Sequence, residues 1–210
     1  MWIPLLLAAA VLGVAHIAAR RAGWLRAAFW LKPLPIALFV LVVAFAAQPV
    51  SPLYRSLIVA GLLFSMTGDI FLALGDDRFV PGLVAFLFAH IFYANAFATQ
   101  WAPGGPWWLI AAAVAIYALM LSLLWAYVPG ALRAPVAVYM AAILIMAWLA
   151  MGWWVGGGGR SAALAALGAI SFVLSDATLA WDRFRRPFAL APVVVMVTYY
   201  VAQALIALSV

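Results

Sequence analysis

The chain has 210 residues, of which 71% are hydrophobic and 8% charged, with 11 basic residues against 5 acidic ones. So few charges cannot cover the surface of a soluble domain of this length, which excludes a water-soluble globular enzyme and indicates an integral membrane protein. The absence of cysteine removes disulfides, thiolate metal sites and cysteine nucleophiles, and the net charge of +6 lies in short stretches between apolar runs, the pattern of a membrane surface and not of a nucleic-acid binder.

A helix needs about 20 apolar residues to cross the hydrocarbon core. By that measure the chain is an all-α polytopic membrane protein, a bundle of eight transmembrane helices in which residues 1–210 form one domain. The spans are expected at about 2–19, 33–48, 54–74, 79–99, 107–127, 132–154, 161–181 and 188–209. The first has no basic n-region and no A-x-A-like cleavage site ahead of its first charges, and reads as a retained helix, not a cleaved signal. Arg20-Arg21 and Lys32-Pro33 bracket the first loop, and Gln48-Pro49 to Pro52 makes the second. Gly75 to Arg78, Pro103 to Pro106, Pro129-Gly130, Gly156 to Gly159 and Arg183 to Pro187 supply the rest. Trp101, Trp107, Trp108, Trp153 and Trp154 fall at span ends and read as interfacial anchors.

With eight spans the loops alternate between two sides. Those after spans 1, 3, 5 and 7 hold Arg20, Arg21, Arg26, Lys32, Arg78, Arg133, Arg183, Arg185 and Arg186, whereas the opposite loops hold only Arg55 and Arg160. Nine against two puts the first set in the cytoplasm and both termini outside. The protein is then expected in a bacterial inner membrane. A faint repeat accompanies this pattern: Asp69 and Asp176 stand 107 residues apart, and a tyrosine follows each by 24 residues, at Tyr93 and Tyr200. A four-plus-four parallel duplication would put both aspartates on equivalent helices running the same way.

Asp69 and Asp176 are the two acids inside apolar stretches, whereas Asp76, Asp77 and Asp182 fall in expected loops. A carboxylate at the bilayer centre costs about 2.5–3.5 kcal/mol even on lenient insertion scales, so such groups face a bundle interior and carry function. Each lies about five residues from the cytoplasmic end of its span, roughly 7 Å inside at 1.5 Å per residue. His90 and Tyr93 share a face of the fourth span. Tyr139 lies on the sixth span, Tyr199, Tyr200 and Gln203 on the eighth, and Lys32, the only lysine, at the start of the second. These depths are compatible with one enclosed site in the cytoplasmic half of the membrane, with Ser65 and Ser175 beside the aspartates.

Each residue also has an ordinary reading. The aspartates and serines are able to hydrogen-bond neighbouring helices, the tyrosines to serve as belt or bundle residues, and Lys32 to snorkel to headgroups. A lone intramembrane histidine such as His90 is often a packing hydrogen bonder, and His16, with no polar company, reads as structural or interfacial. Two histidines without glutamate, cysteine or a His-x-x-x-His spacing give no support for a metal, and neither serine sits in a nucleophile elbow.

Taken in order, Lys32-Pro33-Leu34-Pro35, Ser65-Met66-Thr67-Gly68-Asp69, Phe79-Val80-Pro81-Gly82 and Ala89-His90-Ile91-Phe92-Tyr93 resemble the YhhN family of membrane proteins, which includes lysoplasmalogenases. Tyr139, Gly168-Ala169, Phe172-Val173-Leu174-Ser175-Asp176, Leu179-Ala180, Phe184 and Tyr199-Tyr200-Val201-Ala202-Gln203 continue the resemblance over nearly the whole chain. It implies an eight-helix hydrolase that cleaves the vinyl ether bond of lysoplasmalogen, with ethanolamine or choline headgroup, to an aldehyde and a glycerophospho-alcohol. The implied partners are a lysophospholipid from the membrane and water, with no cofactor and no nucleic acid.

The residues suit that chemistry on their own terms. Vinyl ether hydrolysis starts with protonation of the β-carbon, giving an oxocarbenium ion that water then attacks. A pair of buried carboxylates, one protonated and one ionised, supplies the acid and the charge that opposes the cation. Asp69 and Asp176 would form this pair, with roles unassigned, and His90 would relay protons or orient water with Tyr93. Lys32, with Arg183 or Arg186, would hold the lipid phosphate. Ser65, Ser175, Tyr139, Tyr199, Tyr200 and Gln203 would complete the substrate site. The main rival is a proton-coupled carrier of a small molecule or lipid, for which intramembrane Asp and His with a parallel repeat are also suited, although such carriers show broken helices. A non-catalytic assembly factor is the third reading.

Overall fold

Proline and glycine set most of the helix boundaries in the computed structural model, which describes residues 2–101 and 106–210 apart from the side chain of Asp76. Helix α1 covers Trp2–Arg21, α2 Leu25–Leu31 and α3 Leu34–Ala44. Ser51 caps α4, Pro52–Leu74: its Oγ accepts from the Tyr54 amide at 3.0 Å, and Pro52 occupies the first turn where its missing N–H costs nothing. Gly75, at φ +135°, ends α4 in a conformation that L-residues avoid, and a 3₁₀ turn at Asp76–Arg78 leads into α5, Phe79–Ala98. Helix α6 covers Trp107–Leu124, α7 Gly130–Val155, α8 Gly159–Ala180 and α9 Ala191–Leu208, with a π-turn at Trp181–Arg185 extending α8. Pro103, Gly104 and Gly105 of the expected turn before α6 lie outside the described residues.

Among the described residues every regular element is helical, and eight segments are long and apolar enough to cross a membrane. Two boundaries differ from the sequence reading. The second span is Leu25–Ala44, not 33–48, because α2 and α3 together make one crossing interrupted at Lys32-Pro33. Pro33 lacks the amide that would continue the ladder, so the helix breaks there and leaves Lys32 inside the span instead of at a loop. The seventh span runs on through the π-turn to Arg185, so Asp176 is nine residues from its end instead of five.

Helices α4 with α5 and α8 with α9 form the two most closely packed hairpins, and α7 bridges them by packing on both α5 and α8. Close approach within the first hairpin depends on small residues: a Cβ at Gly61 would collide with the Tyr93 ring, and one at Gly68 with the Phe86 ring. A shared core of buried side chains runs through α3, α4, α5, α7, α8 and α9. Trp153 belongs to this core and not to an interfacial belt, since its ring lies edge-on to Tyr54 at 5.5 Å and is buried. His16 is also buried, and its Nδ1 meets the Ala28 carbonyl at 2.9 Å, tying α1 to α2. Helix α6 is peripheral: it leans on α7 and on the π-turn, and only Leu109 and Leu124 among its residues are buried.

Candidate active site

The break in the second span delivers a cation to the first aspartate. Lys32 Nζ lies 3.1 Å from Asp69 Oδ1 and 3.4 Å from the Asp69 carbonyl, and both side chains are buried. Tyr199, from α9, donates its hydroxyl to Asp69 Oδ2 at 2.7 Å, and Tyr200 donates to the Lys32 carbonyl at 3.1 Å. A buried charge is tolerated when it is paired and its remaining lone pairs are occupied, and Asp69 meets both conditions. Lys32 is therefore the counter-ion of Asp69, which differs from the expected place at the lipid phosphate.

The second aspartate is built differently. Tyr139, from α7, donates a short hydrogen bond to Asp176 Oδ2. His90 Nε2, from α5, stands 4.0 Å from the same oxygen, beyond hydrogen-bond reach. Asp176 keeps 14% of its side chain exposed, against 2% for Asp69, so it alone of the two presents a partly open carboxyl. His90 is fully buried, and neither of its ring nitrogens has a hydrogen-bond partner among the described residues. Its ring is held edge-on by Tyr139 at 5.1 Å and Phe172 at 4.6 Å.

An aromatic block stands at the centre. Phe172 touches His90, Tyr93, Tyr199 and Phe86. The two aspartates share no hydrogen bond or ion pair, each having its own set of partners. A third polar cluster makes no hydrogen bond to either carboxylate: Tyr93 donates to Gln203 Oε1 at 2.7 Å and meets Ser65 Oγ at 3.5 Å. Ser175 spends its hydroxyl on the Val195 carbonyl at 3.1 Å, joining α8 to α9.

Both aspartates, Tyr139 and Tyr199 line one cavity of about 810 Å³ whose walls are otherwise mostly apolar. Arg20, Asp182 and Arg183 line it where α1 and α8 end, and Arg183 lies over the Phe79 ring at 4.6 Å. Among the described residues no three His, Asp or Glu side chains come together as metal ligands would.

Of the residues singled out from sequence, then, Asp69, Lys32, Tyr199 and Tyr200 form one group and Asp176, Tyr139 and His90 a second, while Ser65, Tyr93 and Gln203 form a separate network. Phe86 and Arg20 were not singled out, and Phe172 only as part of the family resemblance. One phenylalanine among 13 gives no signal of its own, and Arg20 reads only as one loop cation among several.

The sequence matches the YhhN family over residues 27–210. It is 41% identical over 158 residues to the human protein named lysoplasmalogenase TMEM86A, covering 72% of this chain and 64% of that protein. The human lysoplasmalogenase TMEM86B is 36% identical over 156 residues, with 74% and 64% covered. The uncharacterized membrane protein YhhN of Escherichia coli O157:H7 is 28% identical over 186 residues, with 89% and 87% covered. The match thus spans a little under two thirds of the human relatives' own length. No solved structure matches the chain.

Proposed function

This chain belongs to the YhhN family, and from that premise we propose that it is a membrane-embedded hydrolase acting on the vinyl ether bond of lysoplasmalogen. The observation that carries the reading is a partly exposed carboxyl, Asp176, in an apolar cavity that also holds the Asp69–Lys32 ion pair. A single-chain ether lipid requires that combination: a proton donor at the reacting carbon within walls that accept hydrocarbon.

Asp176 donates its proton to the β-carbon of the vinyl ether, and the double-bond electrons form the new C–H bond. The positive charge left on the α-carbon and ether oxygen faces the Asp176 carboxylate, which opposes it in a low-dielectric site. Water then adds to the α-carbon and returns a proton to Asp176, directly or through His90. The hemiacetal collapses to an aldehyde and the glycerophospho-alcohol. A buried ring nitrogen without a partner costs about 1–3 kcal/mol, and catalytic hydrogen bonds are often long before substrate binds. Closing the 4.0 Å gap between His90 and Asp176 when water enters relieves that cost. Tyr139 fixes the Asp176 carboxyl, and Tyr199 with Lys32 fixes Asp69. Arg183, already expected beside Lys32 at the phosphate, and Arg20 take that role at the end of the cavity.

Orientation belongs to the same reading. With Lys32 inside the bundle the basic count is eight against two, which supports a cytoplasmic mouth, both termini outside and a site in the cytoplasmic half of a bacterial inner membrane. The two hairpins α4–α5 and α8–α9, each carrying an aspartate on its first helix, support the four-plus-four repeat. One observation favours a carrier instead: the second span is broken at Lys32, beside a buried carboxylate.

The deciding experiment incubates purified protein with lysoplasmenyl-ethanolamine and -choline, and with their saturated alkyl ether analogues, and measures released aldehyde. Release from the vinyl ethers alone is expected. No release from folded protein with either headgroup overturns the hydrolase and leaves the carrier.

A further inference from the structure

The cavity is larger than acid–base chemistry requires, and most of it lies away from the carboxylates. Outward of Tyr139 it is lined by Leu109, Ala113 and Ile116 on α6, by Ile170 and Leu174 on α8, and by Ala147 of α7. The α6 residues recur at spacings of three and four and so form one helix face turned to the cavity. Ile116 is 42% exposed, Ile170 39% and Leu174 55%, so protein leaves these walls uncovered. Helix α6 packs on α7 and the π-turn, which leaves its cavity side free of a tightly packed neighbour.

Length points to the occupant. From Tyr139, which holds Asp176, to Met151 at the far end of the cavity is twelve residues of α7, about 18 Å at 1.5 Å per residue. One leaflet of hydrocarbon is about 15 Å thick, half of the ~30 Å core. At the other end the cavity is lined by Arg20 and Arg183, cations suited to a phosphate. Trp148 and Trp108 line the far end with Met151, and Trp101 packs on Trp148 at 4.9 Å, backing that end with aromatic rings.

We infer that the groove between α6 and α8 is a chain-binding subsite that takes the hydrocarbon tail of a single-chain phospholipid sideways from the bilayer, with Trp148 and Met151 as the stop that limits tail length. The inference rests on the lipid-hydrolase reading for the identity of the tail. The apolar walls exclude a polar tail, and the uncovered side between the two helices gives a route that spares the headgroup from crossing the hydrocarbon.

Two measurements test this. The first uses an uncleavable alkyl lysophospholipid with a photoreactive diazirine at the tail end, added to wild-type protein in nanodiscs. Adducts are expected on Trp148, Met151 and Trp108–Ala113, reduced about tenfold in Ala113→Phe, whose ring fills the groove. Adducts spread over the outward faces of α1 and α3, at residues such as Val11, Val14 and Leu41, overturn the inference whatever the activity. The second compares turnover along a graded tail-length series: Ala147→Trp should lower the long-to-short ratio by about tenfold. An unchanged ratio in a folded variant likewise overturns the stop. Groove adducts without any vinyl ether turnover would keep the tail site and discard the hydrolase, so the two failures are distinguishable.

Discussion

Asp69 and Asp176 are the same residue type at comparable places in two hairpins, yet their surroundings differ. Asp69 is closed off, with Lys32 on one oxygen and the Tyr199 hydroxyl on the other, whereas Asp176 has one tyrosine donor and an open side toward the cavity. Removing the cation from a buried pair leaves an uncompensated charge, and Lys32→Met should therefore destabilise the protein by about 3–5 kcal/mol in a denaturation series. The double variant Lys32→Met/Asp69→Asn should recover most of that loss, because the pair goes as a unit. No recovery would mean that Lys32 stabilises the fold through its packing alone. The sequence made both aspartates visible, since a carboxylate in an apolar run is costly and therefore conspicuous. It did not pair Lys32 with Asp69, because a lysine beside a proline reads equally well as the end of a span. Composition and spacing gave no sign of the aromatic block, since phenylalanine in a membrane helix needs no explanation, and Phe172 entered only within the motif of the resemblance.

At the level of helices, composition and length were enough to count eight crossings, and the boundary errors fell where the backbone is irregular. Pro33 was read as a helix start, which it is, but the seven residues of α2 ahead of it belong to the same crossing. The π-turn at Trp181–Arg185 lengthens the seventh span because its bonding pattern is not marked by any proline or glycine. Trp153 was placed at an interface by its neighbours, whereas its ring fills the core against Tyr54. Close packing of α4 on α5 gives a direct check at this scale. Gly61→Val would force the Tyr93 ring away and disturb its bond to Gln203. Overpacking of this kind costs about 1–3 kcal/mol, so the thermal midpoint of the variant should fall, whereas Ser56→Ala on the exposed start of the same helix should leave it unchanged. An undisturbed Gly61→Val would show that the hairpin is looser than its contacts indicate.

The whole molecule is organised as two tight hairpins bridged by α7, with α6 set to the side. Both carboxylates come from the first helix of a hairpin, their tyrosine partners come from α7 and α9, and the cavity opens where these helices and α6 meet. Under the proposed function one end of the bundle receives the headgroup, which predicts a sidedness. The chain has no cysteine, so single-cysteine variants report topology without background. Asp77→Cys, at an exposed loop whose ion pair with Arg78 contributes little, should label from the cytoplasmic side, and Ser56→Cys from the outside. The reverse pattern would invert the orientation and put the arginine mouth in the outer leaflet. The expected sidedness comes from the basic residues alone, because positive charge in short loops biases which side they stay on. The cavity was not, since it arises from the way helices distant in sequence fail to fill the space between them.

The claim on which the account turns is that Asp176 gives the proton that breaks the vinyl ether. The measurement that meets it most directly is aldehyde release from lysoplasmenyl-ethanolamine by wild type and by Asp176→Asn, with matched thermal unfolding to establish that both are folded. Loss of a positioned general acid lowers rate by about 10²–10⁴-fold, and the account predicts a fall in that range for Asp176→Asn. A folded Asp176→Asn protein that releases aldehyde at the wild-type rate would contradict it.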